Sequence, residues 1–135
     1  MTGIEIEEDV FKVIASSALA SDINGIVCRK DTRPLNSKKE DVVVAHIGGV
    51  NGQEQEGALN VNCFVRDIDD GSGTLVPNIT RCKAIAAILE SVIEAIHIDD
   101  YLFTIDSVID TYKVQNANEH CVNVRIAYRR TTIND

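Results

Sequence analysis

The order of hydrophobic patterns constrains this chain more than any single motif. A helical period comes first, then three extended stretches, a second amphipathic helix, and two long extended stretches. The third stretch, Gly57-Ala58-Leu59-Asn60-Val61-Asn62-Cys63-Phe64-Val65-Arg66, alternates apolar and polar residues. That period of two marks a strand with one buried face.

The first helix is expected from about Glu7 to Ala20, with Val10, Val13, Ile14 and Ser17 at helical spacing. Glu7, Glu8 and Asp9 crowd its first turn, where the helix dipole favours negative charge. Ser21 to Gly25 reads as a stop, and Ile26 to Arg29 as a short strand. The polar stretch from Lys30 to Glu40 reads as a loop. Asp41 to Ile47 is a near-continuous apolar run, expected to be covered on both faces or central in a sheet. Gly48, Gly49, Val50, Asn51, Gly52, Gln53, Glu54, Gln55, Glu56 and Gly57 then read as a flexible connection, the mobile tip of a hairpin.

Asp67 to Pro77 reads as a long surface loop ahead of the strongest element, a helix capped by Asn78 or Thr80. Its apolar stripe runs through Ile79, Cys82, Ile85, Ala86, Leu89, Val92, Ile93 and Ile96. Tyr101 to Val114 reads as one strand, with Tyr101, Phe103, Ile105 and Ile109 on its apolar face and Val108 at a bulge or facing a second surface. The last strand, His120 to Thr132, turns Val122, Val124, Ile126 and Tyr128 inward. The order α-β-β-β-α-β-β implies an α+β fold. A twisted, mainly antiparallel sheet of four or five strands carries two helices on one face. Its 135 residues make a single domain spanning 1–135.

Charge and spacing narrow the chemistry. A net charge of −8 repels phosphate backbones, which argues against sequence-specific or general nucleic-acid binding. No apolar run is long enough to span a membrane, and the acidic N-terminus lacks a signal core. Cys28, Cys63, Cys82 and Cys121 lack the spacing of a zinc or CxxC site and read as packed thiols. Cys63 and Cys82 are expected to face the same core.

The acidic stretch Asp67 to Gly73 lacks the ligand spacing and closing Glu of a calcium loop, so it reads as a solvated turn. His46, His97 and His120 are scattered and predict no metal centre; His97 would close the second helix. No catalytic residue, cofactor site or metal site is predicted. Arg125, Arg129 and Arg130 give the last strand a basic polar face, either a solvated flank or a subunit interface that meets acidic groups of a neighbour.

The stretch Glu40 to Ile47, followed by Gly57 to Asp67, resembles the central hairpin of the tail-terminator and tail-completion (head–tail joining) proteins of long-tailed bacteriophages. The order of elements over nearly the whole chain is similar too. The resemblance implies a non-enzymatic structural protein without a cofactor. Such a protein forms a homo-oligomeric ring, commonly a hexamer, that caps the tail tube and contacts tail-tube and neck proteins. It would reside in the virion tail, or in the host cytoplasm before assembly. The hairpin tip would order on assembly. The alternative is a small ligand-binding or enzymatic α+β module with a pocket near the 67–77 loop.

Overall fold

The computed structural model describes residues 1–133 and 135. The first helix, α1, spans Gly3–Ala15 and so begins before the expected Glu7. A capping box sets its start: the Glu5 amide donates to Thr2 Oγ1 at 3.3 Å, and the Thr2 amide donates to Glu5 Oε1 at 3.0 Å. Ile6, Val10 and Ile14 then fall on one buried face. The helical period breaks after Ala15, and a separate short helix, α2 (Leu19–Asp22), buries Leu19.

Among the described residues eight strands follow in chain order around a third helix. They are β1 (Val27–Arg29), β2 (Val42–Val50), β3 (Glu54–Arg66), β4 (Ile68–Asp69), β5 (Leu75–Val76), then α3 (Ile79–Glu94), β6 (Tyr101–Ile105), β7 (Asp110–Lys113) and β8 (Glu119–Thr131). The main sheet has six strands in the order β1-β2-β3-β8-β6, with β7 also paired to β8. β1 runs parallel to β2, and the other pairs are antiparallel. β4 and β5 form a separate small hairpin inside the expected 67–77 loop.

The fold is therefore α+β with a mostly antiparallel sheet, as expected, but with three helices and six strands in the main sheet. The extra sheet strand has a local cause. Ile105 pairs with Ile126 and Asp110 with Asn123, so residues 106–109 face only Val124 and Arg125 and must arch away. Val108 stands at that arch, 86% exposed. One expected strand is thus two, β6 and β7, sharing the same side of β8.

Both long helices lie on one face. Val42, Val44, Leu59, Val61, Cys63, Val65, Val122, Val124 and Ile126 point inward and form one core with α1 and α3. α1 lies against β1 and β2, while α3 lies against β8, β6 and β3. Asn78 caps α3 by accepting the Arg81 amide at 3.1 Å. Cys82, Ile85, Leu89 and Ile93 form its buried stripe. Ile79, expected on that stripe, is exposed at the helix start. β2 lies inside the sheet between β1 and β3, one of its two expected placements, but is not covered on both faces: Val42 and Val44 are buried, while Val43 and Ala45 are only half-buried on the opposite face, which no helix covers.

Candidate functional site

The stretch from Gly48 to Gly57 is not a long flexible connection. The β2–β3 ladder continues through it, pairing Gly48 with Ala58, Gly49 with Gly57 and Val50 with Glu56. Only Asn51, Gly52 and Gln53 turn the chain. The glycines mark bulge and close approach, the other two uses of glycine in a strand. Gly48 adopts φ +145° at a register shift after His46. A Cβ on Gly57 would lie 2.1 Å from the Gly48 carbonyl oxygen. The tip is tied down as well. Thr132 Oγ1 donates to the Gln53 carbonyl at 2.7 Å, and buried Gln55 donates to the Met1 carbonyl and to Asn51 Oδ1, both at 2.8 Å. Glu54 and Glu56 remain exposed on this hairpin.

The three arginines of β8 do not share a face. Arg125 and Arg129 point away from the helices, whereas Arg130 is 6% exposed on the inner side. A strand alternates, so 129 and 130 must diverge. Arg130 donates to Gln55 Oε1 at 3.1 Å and pairs with Asp135. Arg125 Nε lies 3.3 Å from Asp106, and Arg129 lies 2.6 Å from Glu54 and 3.3 Å from Glu56. Each of these cations is matched within the chain. β8 is also an interior strand of the sheet, so it offers no unpaired edge.

Two other arginines form the buried electrostatic clamps. Arg33, in the loop between β1 and β2, donates Nε to Asp41 at 2.9 Å and grips both oxygens of Glu119 at 2.9 and 3.1 Å. Its guanidinium lies 3.9 Å from the centroid of the Phe64 ring. Arg81 grips Glu40 with 2.6 and 2.7 Å contacts. Glu40, Asp41 and Glu119 are all buried. Burial raises the Asp41 pKa, but hydrogen bonds from Ser37, Arg33 and the Ile26 amide outweigh it and hold the carboxyl below its ordinary value. The Arg81 hydrogen bonds likewise lower Glu40.

Glu40 and Asp41 titrate lower in the folded chain than in the unfolded one. Their stabilisation is therefore complete above the unfolded pKa and disappears as pH falls through the folded one. Urea midpoints are expected to hold from neutrality to about pH 5 and to drop below about pH 4, where unfolded carboxyls protonate. A midpoint that stays level down to about pH 3 would contradict this.

The loop before α3 contains a contact that sequence spacing concealed. Asp67 Oδ1 lies 2.6 Å from His120 Nδ1, and its Oδ2 accepts from Lys113 Nζ at 3.0 Å. Burial works against the Asp67 charge, yet these two bonds keep its pKa below the usual value. His120 Nε2 has no hydrogen-bond partner among the described residues. It borders a cleft of about 400 Å³ shared with Pro77, Ile79, Cys82, Lys83 and Thr111. Positions 67 and 120 are far apart in sequence and meet only because β3 and β8 pair along their full length. No periodicity announces the contact; it follows from the β3–β8 register, which sets Val65 opposite His120.

The remaining acidic loop residues serve as turn acceptors. Asp69 Oδ1 accepts the Gly71 amide at 2.8 Å, and Asp70 Oδ1 accepts the Ser72 amide at 3.0 Å. Among the described residues no group of three or more His, Cys, Asp or Glu could hold a metal ion. Cys63 and Cys82 do join the same core, and all four cysteines are buried free thiols. Burial raises the pKa of both Cys63 and Cys82, which keeps them protonated and unreactive. α3 ends at Glu94, so His97 lies beyond it, exposed and 3.3 Å from Asp99. His46 Nε2 lies 2.7 Å from the Tyr128 hydroxyl.

The sheet face opposite the helices carries Val43, Ala45, Ala58, Asn60, Asn62, Asn123, Arg125 and Ala127, by strand alternation and register. Asn123 Nδ2 donates to Asn62 Oδ1 at 2.6 Å and to Asn60 Oδ1 at 3.2 Å. One amide group thus ties the three asparagines together across the strands. Ile47 and Leu102 are exposed beside them, at 44% and 60%. Ile47 also borders a shallow depression of about 450 Å³ with Ala58, Asp106 and Arg125.

No protein-family model matches the chain, and no curated protein matches it. A solved structure is similar in fold, with a TM-score of 0.55 and 13% identical residues over 97% of this chain and 98% of that chain. This likeness supports the α+β architecture over the whole length. No helix among the described residues is long and apolar enough to cross a membrane.

Proposed function

We propose that the protein is a non-enzymatic structural subunit of a phage or prophage tail. In this reading, copies of the chain form a ring that caps the tail tube and joins it to the neck or head. The observation that supports it is the helix-free sheet face. Its small residues and linked asparagines surround Arg125, which is paired with Asp106, and Ile47 and Leu102 lie exposed beside them. Such a surface can be buried against another subunit with its one central charge already paired. Arg125 and Arg129 project from this same face but, like Arg130 on the inner side, are matched within the chain, so in this reading the contact rests on the apolar and amide residues and not on these cations. The exposed acids Glu54 and Glu56 bring the hairpin end to the same assembly as a contact for tail-tube or neck proteins.

Light scattering across a concentration series tests the reading. A ring-sized species should appear as concentration rises, and Ile47→Asp should suppress it while circular dichroism stays unchanged. A monomer at every concentration that also fails to bind purified tail tubes would overturn it.

One observation favours a second reading, a ligand-binding or enzymatic module: the cleft that holds His120. Asp67 fixes the orientation of that imidazole, as a general acid or base requires. Under that reading the protein remains monomeric and His120→Ala abolishes small-molecule binding at the cleft.

A further inference from the structure

Seven arginines are present in the chain, and six form ion pairs. Arg66 is the exception: it has no hydrogen-bonding or acidic side-chain partner among the described residues. It is half-buried at the end of β3, in a cleft of about 400 Å³. Lys38, Asn36, Asn116 and Asn118 line the same cleft, together with Arg33 and Glu119. Glu119 is already held by both Arg33 nitrogens, at 2.9 and 3.1 Å. Arg33 shares its one charge between Glu119 and Asp41, and Arg66 stands opposite Glu119 in the β3–β8 ladder, so Arg66 and Lys38 together tip the cleft to a net positive balance. On a chain of net charge −8 this is a local reversal of sign.

The walls are fixed before any ligand arrives. On one side Ser37 Oγ donates to Asp41 Oδ2 at 2.5 Å, and the Ser37 carbonyl accepts from Arg33 at 3.4 Å. On the other side Asn116 adopts φ 58°, Lys113 Nζ donates to the Ala117 carbonyl at 2.5 Å, and the Asp67 amide donates to the Asn118 carbonyl at 2.9 Å. Walls fixed in this way need little ordering on binding.

We propose that this cleft is a binding site for a phosphate group. The guanidinium of Arg66 supplies a planar fork for two oxygens, and Lys38 supplies a second charge. The asparagine amides supply neutral donors at the rim. Two cations without side-chain partners, on opposite sides of the cleft, suit the several oxygens of a phosphate better than the two of a carboxylate. The site does not rest on the assembly reading above.

The test is an amide-resolved NMR titration of the whole protein with inorganic phosphate, at constant ionic strength set by chloride. Saturable shifts are expected at residues 33–38, 66 and 116–119. Arg66→Ala and Lys38→Ala should each weaken the apparent affinity by roughly tenfold or more, as expected for lost charge-assisted hydrogen bonds. A parallel titration with a phosphomonoester distinguishes free phosphate from a phosphorylated ligand: tighter binding assigns the site to the esterified group, and equal binding to the free ion. Shifts that are linear and scattered would overturn the site, as would saturation that survives in both variants. Lys38 is exposed, so its variant keeps the test decisive even if Arg66→Ala fails to fold.

Discussion

Arg33→Ala is expected to destabilise the protein by about 3–5 kcal/mol, the range for removing one partner of a buried ion pair. The side chain joins three parts of the chain that sequence separates. It arises in the β1–β2 loop, grips Asp41 at the start of β2 and grips Glu119 at the start of β8. The side chains of Asp41 and Glu119 are only 2% and 6% exposed. Truncation leaves two carboxylates without their cation in a poorly hydrated site. Ser37 and the Ile26 amide still serve Asp41, whereas Glu119 loses both of its side-chain contacts. Urea unfolding measures the loss. A control separates charge from packing: Arg33→Met combined with Asp41→Asn and Glu119→Gln should recover part of it, because no net charge is then stranded. A loss below about 1 kcal/mol for Arg33→Ala would place this contact among ordinary surface ion pairs and refute the clamp.

That clamp also marks the limit of what the residues reveal by themselves. Strands and helices were legible wherever periodicity was strong. The alternation of 57–66 became β3, the α3 stripe became a buried helix face, and the inward set of β8 held residue by residue. Local chemistry was harder to read, because the same residue type serves opposite ends. Glycines at 48 and 57 suggested a mobile tip, yet they occur where strands bend and approach closely. Arg129 and Arg130 looked like one basic patch, although alternation sends adjacent side chains to opposite faces. The break between β6 and β7 left no Gly or Pro to announce it. The long-range pairs, Arg33 with Glu119 and Asp67 with His120, depend on sheet register. Periodicity sets which face a residue takes but not which strand lies beside it. The outer face was within reach of sequence, since Asn60 and Asn62 occupy the polar positions of β3; their bond to Asn123 needed the β3–β8 pairing.

Leu89→Ala is the second large effect, an expected loss of about 2–5 kcal/mol for emptying a fully buried leucine site. Leu89 is 0% exposed, on the α3 stripe between Ile85 and Ile93, and belongs to the core shared with β3 and β8. The side chain has no route to solvent, and the sheet on one side and the helix backbone on the other limit collapse into the void. Ile79→Ala, on the same helix but 65% exposed, should change stability by no more than about 0.5 kcal/mol. Thermal or urea unfolding of the two variants compares burial at nearly constant chemistry. Equal effects would mean that α3 does not pack on the sheet through this stripe. The contrast also bears on assembly, because the inner face uses α1 and α3 to bury the core and leaves the Asn60–Asn62–Asn123 face without a helix. Leu89→Ala should therefore lower the unfolding midpoint yet leave any ring-sized species intact below that midpoint. Ile47→Asp should do the reverse. If both variants lost assembly and stability together, the two sheet faces would not be separable in function.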